Sequence, residues 1–261
     1  MMTSLAACVG VQEGEEGEED DVGVVEQAAF VENALTSNAL TSNALTSNAL
    51  TSNALTSNAL TSNALTSNAL TSSALRDPLA RQLLKYVVSC ALPSGARFDI
   101  NIDGVVYGFD GELGLHKKWG DKDGSCDNAC KAWVSACVLS RINHLGIATP
   151  ISMRGNKCEL SSDSTERTAY SNREGAYYGN IFASPPNYYA CVSPEKTSIE
   201  RVCGASLDDC ALRVVGSCRD ACDKPQSDGS YPNCRDRARD SYGKFPSGTI
   251  SYSGSVTIFL K

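Results

Sequence analysis

Eleven cysteines fall between Cys90 and Cys234, a window of 145 residues, and nothing else narrows the fold of this 261-residue chain as far. Cysteine at that density is uncommon where thiols are kept reduced and common where disulfides persist. The competing chemistry is a structural metal. Cys126-x3-Cys130 and Cys218-x3-Cys222 have the spacing of paired zinc ligands. The other cysteines stand singly among aromatic and polar runs, however, and the chain has only two histidines. The expectation is a disulfide framework formed in an oxidising compartment, with no metal and no other cofactor.

Order along the chain does not fix connectivity. Minimising the closed loops pairs Cys126 with Cys130, Cys191 with Cys203, Cys210 with Cys218, and Cys222 with Cys234. Cys90 then closes onto Cys137 and joins two expected helices. These ten leave Cys158, in the polar loop Arg154-Gly155-Asn156-Lys157-Cys158-Glu159, as the spare thiol.

The twelfth cysteine stands apart. Leu5-Ala6-Ala7-Cys8 resembles the lipobox of bacterial lipoproteins, in which a peptidase cuts before the Cys and its thiol is acylated. That resemblance implies a lipid anchor at Cys8, with residues 1–8 as the remnant of a signal. Only seven residues precede Cys8, fewer than a signal peptide needs, so a longer leader is expected upstream. Residues 1–75 hold nine of the 30 acidic groups and no Lys or Arg, which makes the acidity a property of this end. Residues 9–32 combine Gly with a charge run and read as a disordered acidic tether. The remainder carries 21 acidic and 23 basic groups and so lacks the basic face that nucleic-acid binding requires.

From Asn33 the pentapeptide Asn-Ala-Leu-Thr-Ser recurs eight times, and a degenerate copy ends at Leu75. Five residues turn an α-helix by about 500°, so the leucines make no stripe. In a strand an odd period throws successive leucines onto opposite faces. A coil that turns a corner every five residues gathers them, and the run resembles the four-sided β-solenoids of pentapeptide-repeat proteins. In that case Leu35, Leu40, Leu45, Leu50, Leu55, Leu60, Leu65 and Leu70 point inward. A disordered Ser/Thr-rich stalk over residues 33–75 is the alternative.

Residues 76–261 read as one Cys-rich α+β domain with two helices and several short antiparallel strands. Asp77-Pro78 is a helix start, followed by Leu79, Leu83, Leu84, Val87 and Val88 at helical spacing. Phe98-Asp99-Ile100-Asn101-Ile102 alternates, Asp103-Gly104 turns, and Val105-Val106-Tyr107 returns as a hairpin. A second helix is expected from about Asp127 to His144. Short strands follow around Thr149–Met153, Gly175–Phe182 and Asn187–Cys191, and a terminal strand carries Ile250, Tyr252, Val256, Ile258 and Leu260.

Recognisable catalytic motifs are missing, and the chain is not expected to be an enzyme. His116 reads as part of an exposed loop, and His144 as the end of the second helix, where a cation suits the dipole. Asp121, Asp123 and Asp127 make a weak calcium loop that lacks its third alternate ligand and its closing Glu. The doublets Tyr177-Tyr178 and Tyr188-Tyr189 have two readings: a carbohydrate-stacking face, or packing in a small β core.

The layout resembles a group of uncharacterised lipoproteins of gliding soil bacteria, which place tandem Asn/Leu pentapeptides ahead of a Cys-rich domain. Trp133-Val134-Ser135-Ala136-Cys137 and Glu174-Gly175-Ala176-Tyr177-Tyr178-Gly179-Asn180 carry that resemblance. It implies an extracellular or outer-membrane-surface location and no activity. The expected role is surface-anchored binding of an extracellular partner such as a polysaccharide or a surface protein. A self-associating envelope protein is one alternative, and a secreted hydrolase using Asp99, Asp110 or Glu112 is a second.

Overall fold

Pro78–Ala91 forms the first helix, α1, because Asp77 supplies the cap its orphan N–H groups need: the carboxylate accepts from the Leu79 N–H at 2.9 Å. Pro93 then stops it. A computed structural model describes Ala34, Leu35, Leu60, Thr61 and residues 73–208 and 210–261. After α1 come the strands β1 (Arg97–Ile102) and β2 (Val105–Asp110), paired antiparallel as a hairpin. Its turn residues, Asp103 and Gly104, both have positive φ, as a two-residue hairpin turn requires. Asn128–Ser140 is α2, capped by the Asp127 carboxylate on the Cys130 N–H at 2.8 Å.

The main sheet has five strands in the order β3 (Ser152–Arg154), β9 (Ser255–Leu260), β4 (Asn172–Asn180), β5 (Asn187–Val192) and β6 (Arg213–Ser217). All neighbours are antiparallel except β5 and β6, which run parallel. Three short helices, α3 (Ser164–Ala169), α4 (Glu200–Cys203) and α5 (Cys218–Ala221), lie in the connections, and β7 (Cys234–Arg235) pairs with β8 (Ser251–Tyr252).

Both faces of the sheet are covered, so β4 is buried over nearly its whole length. On one side α2 packs on β4 and β9, with α1 behind it. Tyr177, Ala190, Val256 and Ile258 join α1 and α2 in a single core there. On the other side Ala176, Tyr178, Tyr189 and Cys191 meet Cys218, Cys222, Tyr231, Cys234 and Tyr252. The two halves of each tyrosine doublet therefore enter different cores, because successive strand residues point to opposite faces.

The architecture is mixed α and β and disulfide-bonded, but it departs from the expected one in two ways. There are five α-helices among the described residues instead of two, the extra three being four to six residues long. Such elements show no apolar period. The sheet also contains one parallel pair, made possible by the crossover between β5 and β6.

Five disulfides join Cys90 to Cys137, Cys126 to Cys130, Cys191 to Cys218, Cys203 to Cys210, and Cys222 to Cys234. Three match the shortest-loop pairing; the middle two are exchanged. The parallel register explains this, since Val192 lies opposite Ser217 and brings Cys191 beside Cys218. Cys158 is not a spare thiol: it is itself disulfide-bonded, and no described cysteine is free.

The repeat is represented by Ala34, Leu35, Leu60, Thr61 and residues 73–75; its other positions, the solenoid arrangement, the acidic tether and Cys8 lie outside the described residues. Leu35, Leu60 and Leu75 are at most 1% exposed and belong to the same core as α1 and α2. Leu35 bridges to Ile142, with the Leu35 N–H donating to the Arg141 carbonyl and the Asn143 N–H to the Leu35 carbonyl. The Leu60 N–H donates to the Trp119 carbonyl at 2.7 Å.

Candidate functional site

A cleft of about 340 Å³ opens where α1, the end of β2 and the end of α2 meet. Lys85, Tyr86 and Ser89 reach it from α1, Gly108 and Asp110 from β2, and Gly111 and Glu112 from the segment that follows. Arg141, the residue that closes α2, forms its inner wall. Gly111 is required: a Cβ there would lie 2.4 Å from the Pro93 carbonyl oxygen. The Glu112 N–H is tied to the Leu92 carbonyl at 2.8 Å, which fixes the carboxylate relative to α1.

The Arg141 guanidinium is fully buried, whereas the Glu112 side chain is 37% exposed. Arg141 Nη1 donates to Ser89 Oγ at 2.6 Å and to Glu112 Oε2 at 2.9 Å, and Ser89 Oγ donates to the same carboxylate oxygen. At the rim, Arg97 Nη1 donates to both carboxylate oxygens of Asp110, and both side chains are exposed. The cleft thus presents acceptors, a hydroxyl and cationic donors at fixed positions, the chemistry that recognises a small polyhydroxylated or zwitterionic molecule.

A second polar group lies inside the main core. The Glu174 and Arg201 side chains are 3% and 6% exposed and meet at 2.6 Å, and the Tyr177 hydroxyl donates to Glu174 Oε2 at 2.7 Å. A register shift between Arg173 and Gly175 creates the contact. The extra residue changes the side-chain parity, so that Glu174 and Tyr177, three apart, reach one another. Burial works against the Arg201 charge, but Glu174 and Tyr177 outweigh it and hold the guanidinium above its ordinary value. Burial first, and then the Glu174 carboxylate, push the Tyr177 phenol well up. Neither Glu174 nor Arg201 stands out in the sequence, although Gly175 inside a strand pattern is a bulge signal.

The tyrosines do not form an open stacking face. Tyr177 and Tyr178 are 0% exposed, Tyr189 is 8% exposed and Tyr188 is half-buried. They pack on both sides of a covered sheet, Tyr178 stacking on Tyr189 with ring centroids 5.9 Å apart. Of the three carboxylates considered for hydrolysis, Asp110 and Glu112 line the cleft and Asp99 does not; Asp99 faces Arg97 at 3.2 Å.

Asp121 and Asp123 are exposed, and the Asp127 carboxylate is engaged as the α2 cap. Three His, Cys, Asp or Glu ligand atoms converge, among the described residues, at Cys191, Cys218 and Cys222 and not at this trio. His116 differs from its expected exposed position: its side chain is 21% exposed, and Nε2 lies 3.7 Å from Asp127. His144 lies beyond α2, which ends at Ser140, so it cannot serve that helix's dipole. None of the described helices is long and apolar enough to cross a membrane. The chain matches no protein-family model, no curated protein and no solved structure.

Proposed function

We propose that this is an exported, disulfide-braced binding protein that captures a carbohydrate through the Ser89–Glu112–Arg141 cleft. The observation that carries this reading is the cleft itself, in which two carboxylates, a hydroxyl and a buried guanidinium converge on a space of sugar size. The cystines support a site of action outside the cytoplasm. Residence on the cell surface completes the proposal.

The self-assembly alternative gains nothing from Leu35 and Leu60, whose side chains are used within the chain's own core. A hydrolase working with Asp110 and Glu112 is the other alternative, and turnover of a bound glycan is its signature.

The test is pull-down of the oxidised full chain on insoluble polysaccharides and a soluble oligosaccharide panel, beside Glu112→Gln and Asp110→Asn. Retention on at least one glycan, weakened tenfold or more by Glu112→Gln, is expected, with no released product. Retention that ignores both substitutions would remove the cleft from the argument, and concentration-dependent assembly without glycan binding would favour the envelope reading.

A further inference from the structure

Three cystine sulfurs, those of Cys191, Cys218 and Cys222, converge, and a fourth, Cys234, is bonded to one of them. Cys191 is on β5, Cys218 opens α5, Cys222 follows it directly and Cys234 is on β7. They are joined as Cys191–Cys218 and Cys222–Cys234. Across the two bridges, Cys191 Sγ lies 3.6 Å from Cys222 Sγ, and the sulfurs of Cys191, Cys218 and Cys222 are all within 4.8 Å of one another. A tetrahedral zinc–thiolate centre, with Zn–S near 2.3 Å, sets its sulfurs about 3.8 Å apart. The non-bonded cross-pair already has that spacing.

The surroundings suit such a centre. All four cysteines are at most 1% exposed. Tyr178, Tyr189, Tyr231 and Tyr252 enclose them and exclude water and competing hard ligands. Cys218-x3-Cys222 spans one helical turn and falls within the C-x2–4-C spacing of paired zinc ligands. Arg239 Nη1 donates to the Cys222 carbonyl at 3.1 Å and sets a cation beside a centre that would be anionic. The other knuckle, Cys126-x3-Cys130, lacks this: among the described residues no third His, Cys, Asp or Glu ligand converges on it.

We propose that Cys191, Cys218, Cys222 and Cys234 form one redox-convertible site, two abutting disulfides when oxidised and a four-thiolate zinc centre when reduced. Two dithiol molecules accomplish the conversion. Each gives two electrons to one S–S bond, yielding two protein thiols and one cyclic disulfide of the reductant. Zn²⁺ then displaces the four thiol protons, and four S–Zn bonds stand where two S–S bonds were broken. The site is separate from the Ser89–Glu112–Arg141 cleft and does not depend on a carbohydrate being bound there.

The experiment reduces the full chain with dithiothreitol, removes the reagent anaerobically and titrates with Co²⁺ as a spectroscopic stand-in for Zn²⁺. One equivalent should bind with the absorption of a tetrahedral four-sulfur site, and Zn²⁺ should displace it. Cys222→Ser should lose that spectrum, whereas Cys126→Ser should keep it. Alkylation mapping of the unsubstituted zinc-loaded chain provides a readout that needs no variant: the peptides of these four cysteines should be protected and the others modified. Absence of uptake after reduction, an unchanged spectrum in Cys222→Ser, or protection mapped to other cysteines would overturn the proposal.

Discussion

Arg201 takes a charge into an interior that offers it almost no water, and Glu174, the Tyr177 hydroxyl and the Ile142 carbonyl are what it meets there. Such a pair adds little net stability over a well-packed apolar one, because desolvation offsets most of the attraction. Removing one partner is a different matter, since it strands the other charge. Arg201→Met and Glu174→Leu should each lower the unfolding free energy of the oxidised protein by about 3–5 kcal/mol in denaturant titrations. The double variant should recover part of that loss. If both single variants unfold at the wild-type midpoint, the pair is not formed in solution. Glu112 and Arg141 share the charge types of this pair but differ in exposure, and that is why one pair is a structural clasp and the other borders a cleft.

Among the elements, the repeat is the one whose role changed most on folding. Its period of five rules out a continuous apolar face on a helix or a strand, and Leu35 and Leu60, two of the three described repeat leucines, sit 25 residues apart in the domain's core. A buried Leu cut back to Ala loses its transfer energy and leaves a cavity, together about 2–5 kcal/mol. Leu35→Ala and Leu60→Ala should each destabilise the chain by that amount, read from the shift in chemical denaturation. Losses below about 0.5 kcal/mol, the level of a surface substitution, would show that these leucines do not dock. The hairpin and the two long helices behave in the opposite way, since their caps and turn residues are local and specify them without the rest of the chain.

At the level of the whole molecule, a sheet covered on both faces puts its tyrosines where ionisation is resisted. Burial pushes Tyr188 up to about 12, and Tyr177, Tyr178 and Tyr252 are raised as well, chiefly by burial. A free phenol titrates near 10. Because these folded values lie above the unfolded one, the stabilisation is complete below about pH 10 and is lost as pH rises through the folded values. Tyrosinate absorbance of the native protein should therefore lag that of the denatured chain between roughly pH 10 and 12, with the remaining rise coinciding with alkaline unfolding. Superimposable titrations of native and denatured protein would contradict the covered sheet.

What the sequence determined by itself was local or compositional. Asp77-Pro78, Asp103-Gly104 and the Asp127 cap each act on their immediate neighbours, and cysteine density implies cross-linking whatever the partners. The pairing of Cys191 with Cys218, the burial of both tyrosine doublets and the meeting of Glu174 with Arg201 were decided only by tertiary structure. Each depends on residues distant in sequence. A crossover sets the parallel register of β5 and β6, a second covering layer closes the far face of the sheet, and one extra residue in β4 changes which side chains can touch. The cleft belongs to the same class, since Ser89, Glu112 and Arg141 come from three elements and become neighbours only when the two helices pack.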